Sequence, residues 1–136
     1  SQLPSTIDRD LSLAHRSIQY FDEVLRSYPE SEHVKEAAEY KQKAKEMLAE
    51  KEFYIANFYY IRDMYESALG RFEALLKNYP ESNLVPKTFA AASRSAMALS
   101  DKKRAAFYLE QLKERFPESQ EYSLLKSEIE DELSSK

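Results

Sequence analysis

Apolar side chains recur along this chain at offsets of three, four and seven residues, the spacing of one face of an α-helix. The pattern is sharpest ahead of a repeated corner. Tyr28-Pro29-Glu30-Ser31, Tyr79-Pro80-Glu81-Ser82 and Phe116-Pro117-Glu118-Ser119 are three copies of one tetrapeptide. Eleven residues before each aromatic stand Ser17, Ala68 and Ala105; seven before, Phe21, Phe72 and Leu109; four before, Val24, Leu75 and Leu112. Offsets of −11, −7 and −4 share a helical face, so each copy predicts an amphipathic helix ending at an aromatic-Pro corner. Proline ends the helix because it disfavours helical geometry in the residue before it. The Ser after it is suited to cap the next helix. The full pattern predicts six helices, near 9–28, 31–63, 65–79, 83–99, 101–116 and 119–134, behind a flexible segment 1–8. Asp101 is a suitable cap for the fifth. Asn83 and Pro86 suit the start of the fourth, where proline is tolerated in the first turn.

The spacing of the corners is uneven. The second and third lie 37 residues apart, the first and second 51. No Gly or Pro stands between Ser31 and Asp63. The excess therefore predicts one continuous helix over 31–63, about 50 Å long at 1.5 Å per residue, bridging two repeats. The domain then spans 9–136, with a half repeat at 9–30, full repeats at about 49–82 and 86–119, and a closing helix at 119–134.

Composition narrows the picture. One Gly in 136 residues argues against a fold built on tight hairpins. The net charge of −4, with both signs interspersed, argues against a nucleic-acid partner. No apolar run approaches the roughly 20 residues of a membrane-spanning helix. The chain has no Cys, hence no disulfide or thiolate chemistry. It starts at Ser1, as a fragment or a processed form does.

No catalytic constellation is visible, and no cofactor or metal site is expected. His15 and His33 sit on charged helices without ligands at metal spacing, and read as surface residues. There is no phosphate loop and no nucleophile elbow. Glu39 with Lys43 and Glu73 with Lys77 stand at i,i+4 and predict helix-surface pairs. The acidic run Glu128, Glu130, Asp131 and Glu132 reads as a solvated final helix. Gly70, mid-helix beside Arg71, costs about 0.5–1 kcal/mol relative to Ala. Either another backbone approaches it closely or it is tolerated drift.

A small residue, a large apolar one, another apolar one and then Pro resembles the second helix of a tetratricopeptide (TPR) unit. Ile55, Ala56 and Tyr59 fall where the family carries Leu, Gly and Tyr in its first helix. Phe89 falls at its Trp, followed by Ala92, Ser93 and Ala96. The expected fold is an all-α, TPR-type helical repeat array with one over-long helix. Five of the eight residues from Phe53 to Tyr60 are aromatic. They point all round a helix, which buries them on both sides or leaves a surplus at a groove. The TPR resemblance implies that Phe53, Asn57 and Tyr60 face the concave surface, with Arg94 and Met97 in the last unit.

A narrower resemblance rests on order and spacing. Asp8-Arg9-Asp10, the first corner, a long helix through Leu48-Ala49 and Glu52 to Tyr60, then Tyr65, Ala68, Arg71 and the second corner are similar to the C-terminal half of the BamD family. These are TPR lipoproteins of the outer-membrane β-barrel assembly machinery. The resemblance covers nearly the whole chain, the last unit least. It implies a protein-binding scaffold, not an enzyme, at the periplasmic face of the bacterial outer membrane. The implied partners are a POTRA domain of the barrel subunit BamA and accessory lipoproteins. Membrane association would come only through an N-terminal lipid anchor outside these residues. Arg71 matches a basic family position. Lys77 stands where relatives can carry Arg, a swap that weakens bidentate contacts. Two other readings are a periplasmic TPR adaptor of the Tol-Pal-associated coordinator type and a glycan-binding TPR protein of outer-membrane nutrient uptake. The second needs long inserted loops, which the sequence lacks.

Overall fold

A computed structural model describes residues 5–30 and 32–135 of the chain. They form six helices: α1 (Ser5–Ser27), α2 (Val34–Tyr60), α3 (Tyr65–Asn78), α4 (Val85–Ala98), α5 (Lys102–Arg115) and α6 (Gln120–Ser134). No strand occurs among the described residues. The fold is an all-α helical repeat, consistent with a TPR-type array. Residues 1–4 of the expected flexible segment lie outside the described residues, as does the expected cap Ser31. Residues 5–8 belong to α1.

The three corners share one backbone device. The aromatic N–H donates to the carbonyl four residues back: Tyr28 to Val24 at 2.9 Å, Tyr79 to Leu75 and Phe116 to Leu112 both at 2.8 Å. The caps after them diverge. Ser119 accepts the Tyr122 N–H at 3.1 Å and caps α6 as expected. Ser82 instead accepts the Leu84 N–H at 3.0 Å, one residue short of the helix. Leu84, not Asn83, precedes α4 and supplies no side-chain cap; Pro86 lies in the first turn. Asp101 accepts the Arg104 N–H at 3.1 Å and caps α5 as expected.

The long helix α2 is continuous but runs 27 residues, about 40 Å at 1.5 Å per residue. It stops at Tyr60 because residues 61–63 reverse the chain. Asp63 takes a left-handed φ of 59°. Its N–H donates to Tyr60 and the Met64 N–H to Tyr59, both at 3.0 Å. This is the Schellman closure, in which a left-handed residue satisfies orphan carbonyls. The turn recurs 37 residues on, where Ser100 has φ 61° and Asp101 N–H reaches Ala96 at 2.8 Å. The repeat spacing read from the corners is thus also a repeat of backbone conformation.

The chain divides into two compact units, residues 1–51 and 52–136. In the first, the Phe21 ring stacks on Tyr40 at 5.8 Å between centroids, and Lys41 pairs with Asp22. That hydrogen bond holds the Asp22 carboxyl below its ordinary range. Buried alanines at 14, 37 and 44 accompany the contact. Ser17, Phe21 and Val24, the first copy of the repeated face, are half-buried.

In the second unit the same face is the core. Ala68, Phe72, Leu75, Ala105 and Leu112 are fully buried. Of these, Ala68, Phe72, Ala105 and Leu112 join Ala56, Phe89, Ala92, Ala96, Leu125 and Ile129 in one cluster. Alanine and serine at the helix crossings allow close approach. Ser93, fully buried on α4, donates its hydroxyl to the Ala105 carbonyl of α5 at 2.8 Å.

Neither i,i+4 pair expected from the sequence forms. Glu73 does not pair with Lys77. Its carboxylate accepts a short hydrogen bond from the Tyr108 hydroxyl and lies 3.6 Å from Arg104, both on α5. Burial, then this hydrogen bond, pushes the Tyr108 hydroxyl well above its ordinary value. Lys43 likewise stands over the Tyr40 ring, 5.4 Å from its centroid, without pairing with Glu39. Gly70 is approached by no other backbone: a Cβ built there meets nothing within 4 Å. Gly70→Ala should therefore stabilise the protein by about 0.5–1 kcal/mol, through lost backbone freedom in the unfolded chain. Urea unfolding of the two proteins checks this; an unchanged or lower midpoint contradicts it.

Candidate protein-binding surfaces

Two surfaces of the second unit carry five of the residues singled out in the sequence, Phe53, Asn57, Tyr60 and Arg94 on one and Arg71 on the other. The first is a cavity of about 300 Å³ lined by Phe53, Asn57 and Tyr60 of α2 and by Lys87, Ala91 and Arg94 of α4. Each triplet is spaced i, i+4, i+7, so each is one stripe of its helix. The two aromatic rings rest on Phe72, at 5.4 Å for Phe53 and 6.5 Å for Tyr60. The aromatic run thus splits three ways. Ile55 and Ala56 are core, Phe53 and Tyr60 are half-buried walls, and Tyr54 is exposed. Phe58 sits under the Arg62 guanidinium at 3.7 Å.

The charges around this cavity are unequally committed. Arg94 binds Glu128 of α6 bidentately, Nε to Oε2 at 2.7 Å and Nη2 to Oε1 at 3.0 Å. Those hydrogen bonds hold the Glu128 carboxyl below its ordinary range. Glu128 therefore does not behave as part of a uniformly solvated acidic tail. Lys87 has no carboxylate partner among the described residues; its Nζ lies 5.5 Å from the centroid of the Phe53 ring. Met97, expected on this surface, does not line the cavity. It packs against the core cluster instead.

The second surface surrounds Arg71 on α3. A polar cavity of about 550 Å³ is lined by Glu52, Tyr59, Glu66, Ser67, Gly70, Arg71, Ala74 and Asn78. Arg71 Nη1 lies 3.5 Å from Glu52 Oε1, a buried oxygen that accepts no hydrogen bond. Burial, then the Glu52 charge, raises the nearby Tyr79 hydroxyl above its ordinary value. Glu52 orients Arg71 without saturating it: a guanidinium carries five N–H donors. Lys77 is exposed in the last turn of the same helix and lines neither cavity.

Sequence reasoning missed Lys87, Glu128 and Glu52. Lys87 had a usable signal, standing seven residues before Arg94 on the same helical stripe. Glu128 lies 34 residues from Arg94, and no local pattern joins them. Among the described residues no group of three or more His, Cys, Asp or Glu could hold a metal ion. No helix among them is long and apolar enough to cross a membrane.

Aromatic and charged side chains on the faces of stacked helices place this chain among the helical-repeat proteins. A family model described as YfiO, outer membrane lipoprotein, matches residues 1–106. The chain belongs to that family. The match is consistent with the resemblance to BamD, and it ends in α5, where the resemblance weakens.

Proposed function

We propose that this chain is a protein-binding scaffold of outer-membrane protein assembly, acting at the periplasmic face of the outer membrane and corresponding to the C-terminal half of BamD. Its partners on this reading are a POTRA domain of the barrel subunit and accessory lipoproteins. The observation that carries the reading is the open polar surface around Arg71, on a chain of an outer membrane lipoprotein family. Arg71 is oriented by Glu52 yet 44% exposed, so it can meet a carboxylate on a partner. Lys77, exposed in the last turn of the same helix, stands about 120° round the axis from Arg71 and would meet a partner only beyond that cavity. Gly70 supports the same use, since the missing side chain leaves open space beside Arg71.

Calorimetric titration of the chain with a purified POTRA domain tests this. Wild type should bind, and Arg71→Glu should lower the affinity by at least about tenfold, the usual scale for reversing a charge at an interface. Helicity by circular dichroism should be unchanged. No binding by wild type, or equal affinities for the two proteins, overturns the proposal.

A further inference from the structure

The cavity between α2 and α4 has a chemistry distinct from the Arg71 surface. Its walls are two aromatic rings held by a buried third, Phe72. Its polar groups are the Asn57 amide, the Lys87 ammonium and the Arg94 guanidinium. Arg94 is already neutralised by Glu128. The Lys87 charge is not neutralised by any carboxylate among the described residues, and the Asn57 side chain hydrogen-bonds to none of them. The cavity is therefore locally positive on a chain whose net charge is −4. An ammonium with only a ring face beneath it and an unpartnered amide across from it make half of a hydrogen-bonding site.

We propose that this cavity reads an acidic side chain in an extended segment of a protein partner, with an apolar residue of the same segment lying on Phe53 and Tyr60. The proposal rests on the protein-binding reading above and adds to it a second site with its own ligand chemistry. A carboxylate there would accept from Lys87 Nζ and the Asn57 amide, both charge-assisted or polar donors. The two remaining donors on Arg94 Nη1 point to the same need for an acceptor, because Glu128 uses only Nε and Nη2. Ala91, between Lys87 and Arg94 on the α4 stripe, leaves the room a side chain needs. A single uncommitted lysine is too little for a phosphate backbone, whose binding scales with the number of charges neutralised. A protein carboxylate matches the single charge.

The test uses two blocked tripeptides, N-acetyl-Leu-Glu-Phe-amide and N-acetyl-Leu-Gln-Phe-amide, titrated into the isotopically labelled chain and followed by NMR. The glutamate peptide should shift the Asn57 side-chain amide and the Ala91 and Lys87 backbone amides, and saturate. It should bind about fivefold tighter than its glutamine isostere, the scale of one partly exposed ion pair. Lys87→Ala, at an exposed helix position, should remove that preference, and Arg71→Glu should keep it. Equal affinities of the two peptides for wild type, or shifts that miss Asn57 and Ala91, overturn the proposal. The titration with the POTRA domain is independent. A peptide preference without POTRA binding sinks the assembly reading and leaves this site standing; POTRA binding without a peptide preference does the reverse.

Discussion

Phe72→Ala is expected to destabilise the second unit by about 3–5 kcal/mol, the cost of truncating a buried aromatic and leaving a cavity. Phe72 is fully buried at the centre of the repeated face of α3. Its ring also backs Phe53 and Tyr60. The neighbours are held by helices α2 and α3, so they can collapse only in part into the space left. A typical domain is stable by about 5–15 kcal/mol, so the loss is a large share of the total. Urea unfolding should show a lower midpoint with little change in slope. The two groove aromatics lose their support at once, so the preference for the glutamate peptide should fall with the stability. A loss under about 1 kcal/mol would mean that the ring is not packed as described.

Ser93→Leu is expected to be almost as damaging, at about 2–4 kcal/mol, for the opposite reason. The site has no room. Ser93 is fully buried where α4 meets α5, within hydrogen-bonding distance of the Ala105 backbone. A leucine must push the helices apart, which costs about 1–3 kcal/mol in well-packed cores. It also removes a hydrogen bond of about 0.5–1.5 kcal/mol. Ser93→Ala separates the two effects: it keeps the small volume and should cost only the hydrogen bond. Equal unfolding midpoints for the leucine and alanine variants would show that close helix approach at this position is not required.

These two residues also show why so much of the fold was legible in the chain. Phe72 belongs to the −7 set of the repeated corner, and Ser93 falls at the small position of a TPR first helix. Both assignments need only local helical phase. All six helices were placed the same way, within four residues at every end, because proline corners and apolar stripes act over one or two turns. The end of α2 was overrun because its stop is a left-handed Asp63 rather than a glycine, and nothing in the residue type announces that conformation.

The candidate sites were less legible. Phe53, Asn57, Tyr60 and Arg94 do share a cavity. Met97 turns inward from it, Arg71 belongs to another surface, and Lys77 lines neither. Helical phase gives the direction of a side chain from its own axis. It does not say which helix stands opposite.

The sequence by itself determined the secondary structure, the repeat of 37 residues and the identity of the buried face. Each of these is encoded in spacings short enough to be read along one helix. Only the tertiary structure decided that Glu73 bonds to Tyr108 instead of Lys77, that Glu128 neutralises Arg94, and that Lys87 is left without a carboxylate partner among the described residues. Those outcomes depend on charges brought together from helices some 30 residues apart, where distance in space is set by packing and not by position along the chain.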